Sequence, residues 1–313
     1  MRRTVFTRLG GAFLGLFVLT VVTFLMVRLL PGSVEDAMLG TENVTPEARQ
    51  AFRDRFGLDD PIVVQYVQWI SNLVQGDLGN SIRSRQPVTQ ELTAKLGPSL
   101  TLSLVSVMIS FCAAITLGTI AALKRDGVVD RLSTLGSIIG SSVPDFVIGL
   151  LLIVFVASRF DQFPSFGYEP LSSGLYEWAR HLFLPVVAMS ASLVGIMTRL
   201  MRTSILSTLE EDHVRTAIGK GLSRRRVIAL HVIRPSLIPV ITTAGLLFVA
   251  VIGGVVVIEF VFSIPGLGRL ILESIKARDY PLIQGATLLI GVLAIIASIL
   301  VDFIHRALDP RIR

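Results

Sequence analysis

An all-α integral membrane protein with six transmembrane helices is what the composition, the apolar runs and the charge placement of this chain predict. Hydrophobic residues make up 52% of its 313 positions and charged ones only 17%, and the mean hydropathy is +0.70. That is too apolar for a water-soluble domain of this length to hide in one core. A bilayer-crossing helix needs about 17 to 25 residues with few or no charges. Uncharged runs of that kind fall at 9–27, 96–123, 182–198, 235–258 and 281–301, and a sixth, 132–158, is interrupted only by Asp145.

Lys and Arg collect on the cytoplasmic side of a membrane protein. With the N-terminus inside, the inner segments carry Arg2, Arg3 and Arg8; Lys124, Arg125 and Arg131; eight basic residues from Arg199 to Arg234; and Arg306, Arg311 and Arg313. That gives 17 basic residues against seven acidic ones, whereas the outer segments hold 12 against 15. Both termini are therefore expected in the cytoplasm. The formal charge of +6 reads first as a topology signal. Because the basic residues flank spans and form no single stripe, they suit membrane lipid and argue against a nucleic-acid partner.

The chain begins like a signal peptide, with Met1-Arg2-Arg3 before an apolar run. The run is too long, however, and Arg28-Leu29-Leu30-Pro31 offers no small-residue cleavage site, so a retained first helix is expected. The organisation that follows has residues 1–30 as a cytoplasmic N-terminus with the first transmembrane helix and 31–95 as an extracytoplasmic helical region. Residues 96–313 then form a five-helix core that carries a cytoplasmic segment, 199–234. Cys112, the single cysteine, excludes an internal disulfide and reads as a small packing residue.

In the outer region, Thr45-Pro46-Glu47 reads as an N-cap, N1 proline and acidic first turn, opening a polar helix over 48–56 that Gly57 stops. A second, amphipathic helix fits 61–74, with Ile62, Tyr66, Trp69, Ile70 and Leu73 at helical spacing and Gly76 and Gly79 behind it. Tyr66 and Trp69 suit a membrane interface or a protein partner. The second outer segment, 159–180, is rich in Pro and Gly and reads as an ordered loop. The third, 259–280, pairs the turn Pro265-Gly266-Leu267-Gly268 with a short amphipathic helix over 270–275. Small residues four apart, Gly11 with Gly15 and Gly136 with Gly140, permit close helix approach, either within this chain or against a partner subunit. Asp145 stands at membrane depth, which points to a path or gating role. Pro144 before it breaks the helix and leaves open a capping or pairing role near a helix end.

The segment 199–234 is strongly basic and lies between two apolar runs. Leu206, Leu209, Ala217 and Ile218 fall broadly on one helical side, and Glu210, Glu211 and Asp212 suit the positive start of a helix. Gly221 stands where a C′ residue belongs. Ser223 can cap a second helix opened by Arg224, Arg225 and Arg226, which either meet anionic headgroups or enforce topology. Pro235 marks the entry to the next span. A short helix held at both ends by membrane spans transmits a push because its position is fixed relative to both.

The run Glu211-Asp212-His213-Val214-Arg215-Thr216-Ala217-Ile218-Gly219-Lys220-Gly221-Leu222 resembles the coupling-helix motif of ABC importer permeases, in their dipeptide/oligopeptide/nickel branch. The general motif is Glu-Ala-Ala, three residues, then Gly, and Arg215, Thr216, Ala217 and Gly221 fill those slots. Only the second alanine and the glycine match it. The branch pattern Asp-aromatic-Val-x-Thr-Ala-x-x-Lys-Gly-Leu fits better, with His213 in place of the aromatic residue. Leu30-Pro31-Gly32, Phe56-Gly57-Leu58-Asp59-Asp60-Pro61, Gly76-Asp77-Leu78-Gly79-Asn80-Ser81, Pro265-Gly266-Leu267-Gly268-Arg269, Arg278-Asp279-Tyr280-Pro281 and Asp309-Pro310-Arg311 extend the likeness over most of the chain.

The resemblance implies a type I ABC importer permease fold. It also implies pairing with a second, related permease subunit, two cytoplasmic ABC ATPase domains that carry ATP and magnesium, and an extracytoplasmic substrate-binding protein. Glu210, Glu211, Asp212, Arg215, Thr216, Ala217 and Gly221 would form the contact with an ATPase. Asp145 is the candidate for the translocation path. Asp77 and Asn80 are turn-formers or contacts to the binding protein. Di- or oligopeptides are the cargo this branch suggests, with nickel complexes, glutathione, haem and sugars as further possibilities.

What the sequence lacks agrees with a subunit without catalysis or cofactor of its own. Gly219-Lys220 is followed by Gly221, and Val214 occupies the first glycine slot of a P-loop, so nucleotide is expected on another chain. Four histidines, no His-Glu-x-x-His and no cysteine cluster disfavour a metal site. An ion-coupled secondary carrier or channel is the competing reading, and it would need paired midplane charges or inverted repeats. A membrane enzyme would need a nucleophile and base arrangement.

Overall fold

The computed structural model describes residues 2–29, 45–47, 50 and 59–308. The polar helix expected over 48–56 falls outside them apart from Gln50, as do Leu30-Pro31-Gly32, Phe56-Gly57-Leu58 and the terminal Asp309-Pro310-Arg311. Among the described residues the regular structure is helical, with one isolated antiparallel bridge between Asn80 and Pro87. In chain order the helices are α1 (Arg2–Leu29), α2 (Ile62–Val74), α3 (Val88–Leu123), α4 (Val128–Ser142), α5 (Asp145–Ala157), α6 (Leu175–Leu209), α7 (Asp212–Gly219), α8 (Arg224–Gly254), α9 (Val256–Val261), α10 (Leu267–Ala277) and α11 (Tyr280–Leu308).

Helices α3, α6, α8 and the stretch Tyr280–Val301 of α11 are long and apolar enough to cross a membrane, and α4 with α5 makes a fifth, bent candidate. Helix α1 contributes the shorter apolar stretch Gly10–Met26. At 1.5 Å per residue, the 35 residues of α6 reach roughly 50 Å, well past a hydrocarbon core of about 30 Å. Its ends therefore project beyond the apolar run 182–198.

Two expected spans are built differently from the sequence reading. The run 132–158 is not one rod, because α4 and α5 meet at a 96° bend. Proline disfavours the helical region for the residue before it, and Val143 is accordingly extended, at φ −91°, ψ 127°. The run 235–258 belongs to a longer helix: α8 begins eleven residues before Pro235, at Arg224, and Pro235 stands in the first turn of its α-helical part after a π-helical stretch, Val227–Ile233. The wider π turn relieves the clash between a proline ring and the preceding carbonyl.

The chain divides into two compact units, one of Met1–Gly97 with Gly266–Ile295 and the other of Pro98–Pro265 with Ile296–Arg313. In the first, Val88, Leu92, Leu267, Leu270, Leu282 and Ala286 form a buried cluster. Tyr66 and Trp69 of α2 have an intramolecular partner: both rings pack on Phe24 of α1, with centroids 5.1 and 5.6 Å away, and the Tyr66 hydroxyl meets Thr20 Oγ1 at 2.8 Å.

Buried Asp279 ties two motifs that lie far apart in sequence. It accepts the Ser81 hydroxyl at 2.5 Å and the Arg83 N–H at 3.2 Å. Asp279→Ala leaves those donors without their acceptor, and the expected loss is about 1–3 kcal/mol. A lowered unfolding midpoint of the detergent-purified protein checks this.

In the second unit, α6 is the central post. An added Cβ at Gly195 would lie 2.5 Å from the Ser137 carbonyl oxygen, and one at Gly140 would lie 2.7 Å from that of Ala191. Backbones of α4 and α6 therefore touch, and small residues are required there. Gly140 thus serves packing within the chain, while a Cβ added at Gly136 would meet nothing within 4 Å. Ser99, Ser103, Ser106 and Ser110 run down α3 as a wholly buried stripe. The Ser110 hydroxyl donates to the Ser106 carbonyl of its own helix at 2.7 Å, and Ser190 of α6 donates to that same oxygen at 3.3 Å.

Candidate functional site

Two features of the second unit carry chemistry or mechanics: the turn of chain between α6 and α8, and a cavity further along the same helices.

Helix α6 ends at Leu209, the chain turns at Glu210 and Glu211, and α7 starts at Asp212. Glu211 takes the extended N-cap conformation, φ −74°, ψ 148°, so the three acids surround the positive end of α7. At the other end Gly221, at φ +79°, donates its N–H to the Ile218 carbonyl at 2.9 Å, and Leu222 donates to that of Ala217 at 3.3 Å. This pair of bonds is the Schellman stop, whose C′ position requires a left-handed residue. The C′ expectation for Gly221 holds. Ser223 stands at the N-cap of α8 as expected, but its side chain makes no capping bond.

Helix α7 is seated by Val214 and Ala217, which are buried in a cluster with Met201, Ile205, Val227 and Val232. Ile218 departs from expectation. It does not share the buried side with Leu206, Leu209 and Ala217, but stands 60% exposed. The break at Glu210 and Glu211 restarts the helical register, so residues of α6 and α7 do not share one stripe. The outward face of α7 consists of Asp212, Arg215, Thr216, Ile218, Gly219 and Lys220, with Glu210, Glu211 and Gly221 exposed beside it. It is a mixed-charge surface with one apolar knob on a rigid seat. Arg215 lies 3.8 Å from Asp212 across solvent, which contributes little to stability.

Sequence reasoning did not single out two supports of this seat. Arg202 of α6 grips Asp130 of α4 with Nε at 2.5 Å and Nη2 at 2.7 Å, a bidentate fork of the stronger kind. The two residues are 72 positions apart, so no local pattern reveals the pair. His213 of α7 lies with Nε2 3.0 Å from the His231 carbonyl and Nδ1 3.0 Å from the Glu211 carboxylate.

The cavity has a volume of about 320 Å³, with Asp145 and Phe146 from α5, Met189, Ser192 and Ile196 from α6, and Leu247, Val251 and Gly254 from α8 in its wall. Asp145 is half-buried in the first turn of α5, and Ser192 shares the cavity wall with it. The lining residues include no Lys or Arg. The bend at Pro144 therefore delivers one carboxylate to an otherwise mostly apolar chamber.

A further carboxylate was not foreseen as buried. Glu259 of α9, assigned to an outer loop by its position after the run 235–258, is completely buried and accepts the hydroxyl of Ser99. Asp77 and Asn80, in the first unit, are both exposed. Asp77 Oδ1 accepts the Gly79 N–H at 2.8 Å, a turn-forming bond, and Asn80 forms the bridge to Pro87.

Known proteins match the sequence of this chain over its full length. Residues 114–313 fit the model of the binding-protein-dependent transport system inner membrane component, and residues 1–105 fit the corresponding N-terminal membrane component. A probable peptide ABC transporter permease, y4tP of Sinorhizobium fredii, is 38% identical over 313 residues, all of this chain and 98% of that one. The glutathione transport system permease GsiC of Escherichia coli is 37% identical, covering 100% and 99%. The oligopeptide transport system permease AppB of Bacillus subtilis is 35% identical, covering 94% of each chain. Among solved structures, an inward-facing form of the MetNI methionine ABC transporter matches 70% of this chain and 96% of its own, with a TM-score of 0.54 at 14% identity. At that identity the likeness speaks for the fold alone. The full-length sequence matches speak for descent, and the chain belongs to the family of inner-membrane permease components of binding-protein-dependent ABC transport systems.

Proposed function

We propose that this chain forms one half of a two-permease pathway for di- or oligopeptides, with six membrane crossings, both termini in the cytoplasm and α7 as its coupling helix. As an ABC permease it works with ATPases and a substrate-binding protein. In this reading ATP and magnesium bind the two ATPase domains, and this chain converts their closure into outward opening of the path. The single observation behind it is the seat of α7, which buries Val214 and Ala217 and presents Arg215, Thr216 and Ile218 outward between two spans. A surface held that firmly follows whatever docks on it. Nucleotide then biases a two-state equilibrium by no more than its differential affinity for the two states.

Asp145 and the chamber around it are the proposed stretch of the path. A carboxylate at membrane depth is expensive unless it is hydrated or paired, and a chamber with one acid and no base suits a passing positive group such as a peptide α-ammonium. Exposed Asp77 and Asn80 are proposed to face the binding protein. The relatives named for peptides, oligopeptides and glutathione support the cargo class.

Reconstitution tests the whole reading. Proteoliposomes holding this chain, its companion permease and both ATPases should take up a labelled dipeptide only when ATP and the binding protein are present. Uptake on an ion gradient without ATP would instead assign an ion-coupled carrier.

A further inference from the structure

We infer that His213 is a positioning residue that latches the coupling helix α7 to the base of α8 through its ring nitrogen on the His231 backbone carbonyl. His213 Nε2 lies 3.0 Å from the carbonyl of His231, which stands in the π-helical stretch Val227–Ile233 at the start of α8. A carbonyl and a carboxylate both only accept, so each ring nitrogen donates in this arrangement, Nε2 to the His231 carbonyl and Nδ1 to Glu211 Oε2, 3.0 Å away at the N-cap of α7.

The apolar seat alone does not set how α7 is aligned on α8. Val214 meets Val227 and Val232 through contacts that have no direction, and such a seat permits sliding. A ring nitrogen on one particular carbonyl fixes both register and rotation. Helix α8 then runs on as a single rod to the chamber, where Leu247, Val251 and Gly254 stand in its wall. Those residues lie on the order of 25–35 Å beyond His231 along the helix. A displacement of α7 thus arrives at the Asp145 chamber through α8, with the His213 bond as the rigid joint.

The inference rests on α7 being the coupling helix, and the test separates the two claims. In the reconstituted four-component transporter, His213→Phe keeps the ring size and loses the donor. Dipeptide transported per ATP hydrolysed should fall about three- to tenfold, the equivalent of one hydrogen bond, while the complex still assembles. His213→Gln, whose amide nitrogen reaches a similar point, should restore most of the ratio. An unchanged ratio in His213→Phe, or a Gln variant as poor as Phe, would overturn the inference. Gly221→Val serves as the reference: if it transports normally, the coupling assignment itself fails, whereas uncoupling by Gly221→Val beside a normal His213→Phe removes only the latch.

Discussion

Gly221→Val is expected to lower transport per ATP hydrolysed by roughly five- to thirtyfold while leaving the membrane helices inserted. The effect comes from the backbone alone. Gly221 holds φ at +79° and an added Cβ would meet no atom within 4 Å, so steric overlap has no part in it. A side-chain-bearing residue in that left-handed conformation costs about 1–2 kcal/mol, and a β-branched one is the poorest fit. A penalty of that size shifts the ratio of capped to uncapped conformers by roughly the factor stated. What is lost is the pair of bonds that stops α7, from Gly221 to Ile218 and from Leu222 to Ala217, and with it the fixed angle at which α7 enters α8. The same argument ranks other substitutions. Asn, which tolerates the left-handed region, should stay near the parent protein, Ala should be intermediate and Val worst. Reconstituted uptake and hydrolysis, measured side by side, check the order. A bulk-dependent order would point to a steric cause and away from the cap.

Features set by a few neighbouring residues were legible in the sequence. A glycine after a short polar helix specifies a C-cap whatever surrounds it, so Gly221 was placed correctly. Pro144 likewise announced a break, although the 96° bend comes from what α5 packs on. Ile218 was misjudged because helical phase carries across a segment only while the helix is unbroken, and the turn at Glu210 and Glu211 resets it. Pro235, read as the entry to the span, stands in the first turn of the α-helical part of α8, while the π-helical stretch before it had no signature in the sequence. The buried stripe Ser99, Ser103, Ser106 and Ser110 follows the four-and-three spacing of a helix face and is readable in the sequence as a close-packing seam. Other features had no local signature at all. Glu259 meets Ser99 from 160 positions away and Arg202 meets Asp130 from 72. Such pairs exist only once the helices are stacked.

Asp145→Lys should reduce dipeptide uptake by more than about a hundredfold, and Asp145→Asn should reduce it about tenfold for peptides with a free α-amino group only. A positive group 4 Å from a carboxylate gains about 4 kcal/mol at an effective dielectric constant of about 20, and water in the chamber lowers that figure. Removing the charge therefore forfeits a little over 1 kcal/mol in a partly wet site, which is the tenfold loss. Reversing it replaces attraction with repulsion and roughly doubles the change in free energy. Shape is not the issue, because Asn matches Asp in volume. An N-acetylated dipeptide carries no ammonium, so its uptake by Asp145→Asn should stay within about twofold of the parent. Initial uptake rates for the free and acetylated forms, measured with saturated binding protein so that capture is not limiting, separate the possibilities. Equal losses for both peptides would make Asp145 a structural member of the α5 start that serves the bend. A loss confined to the charged peptide would make it the group that the cargo meets on its way across.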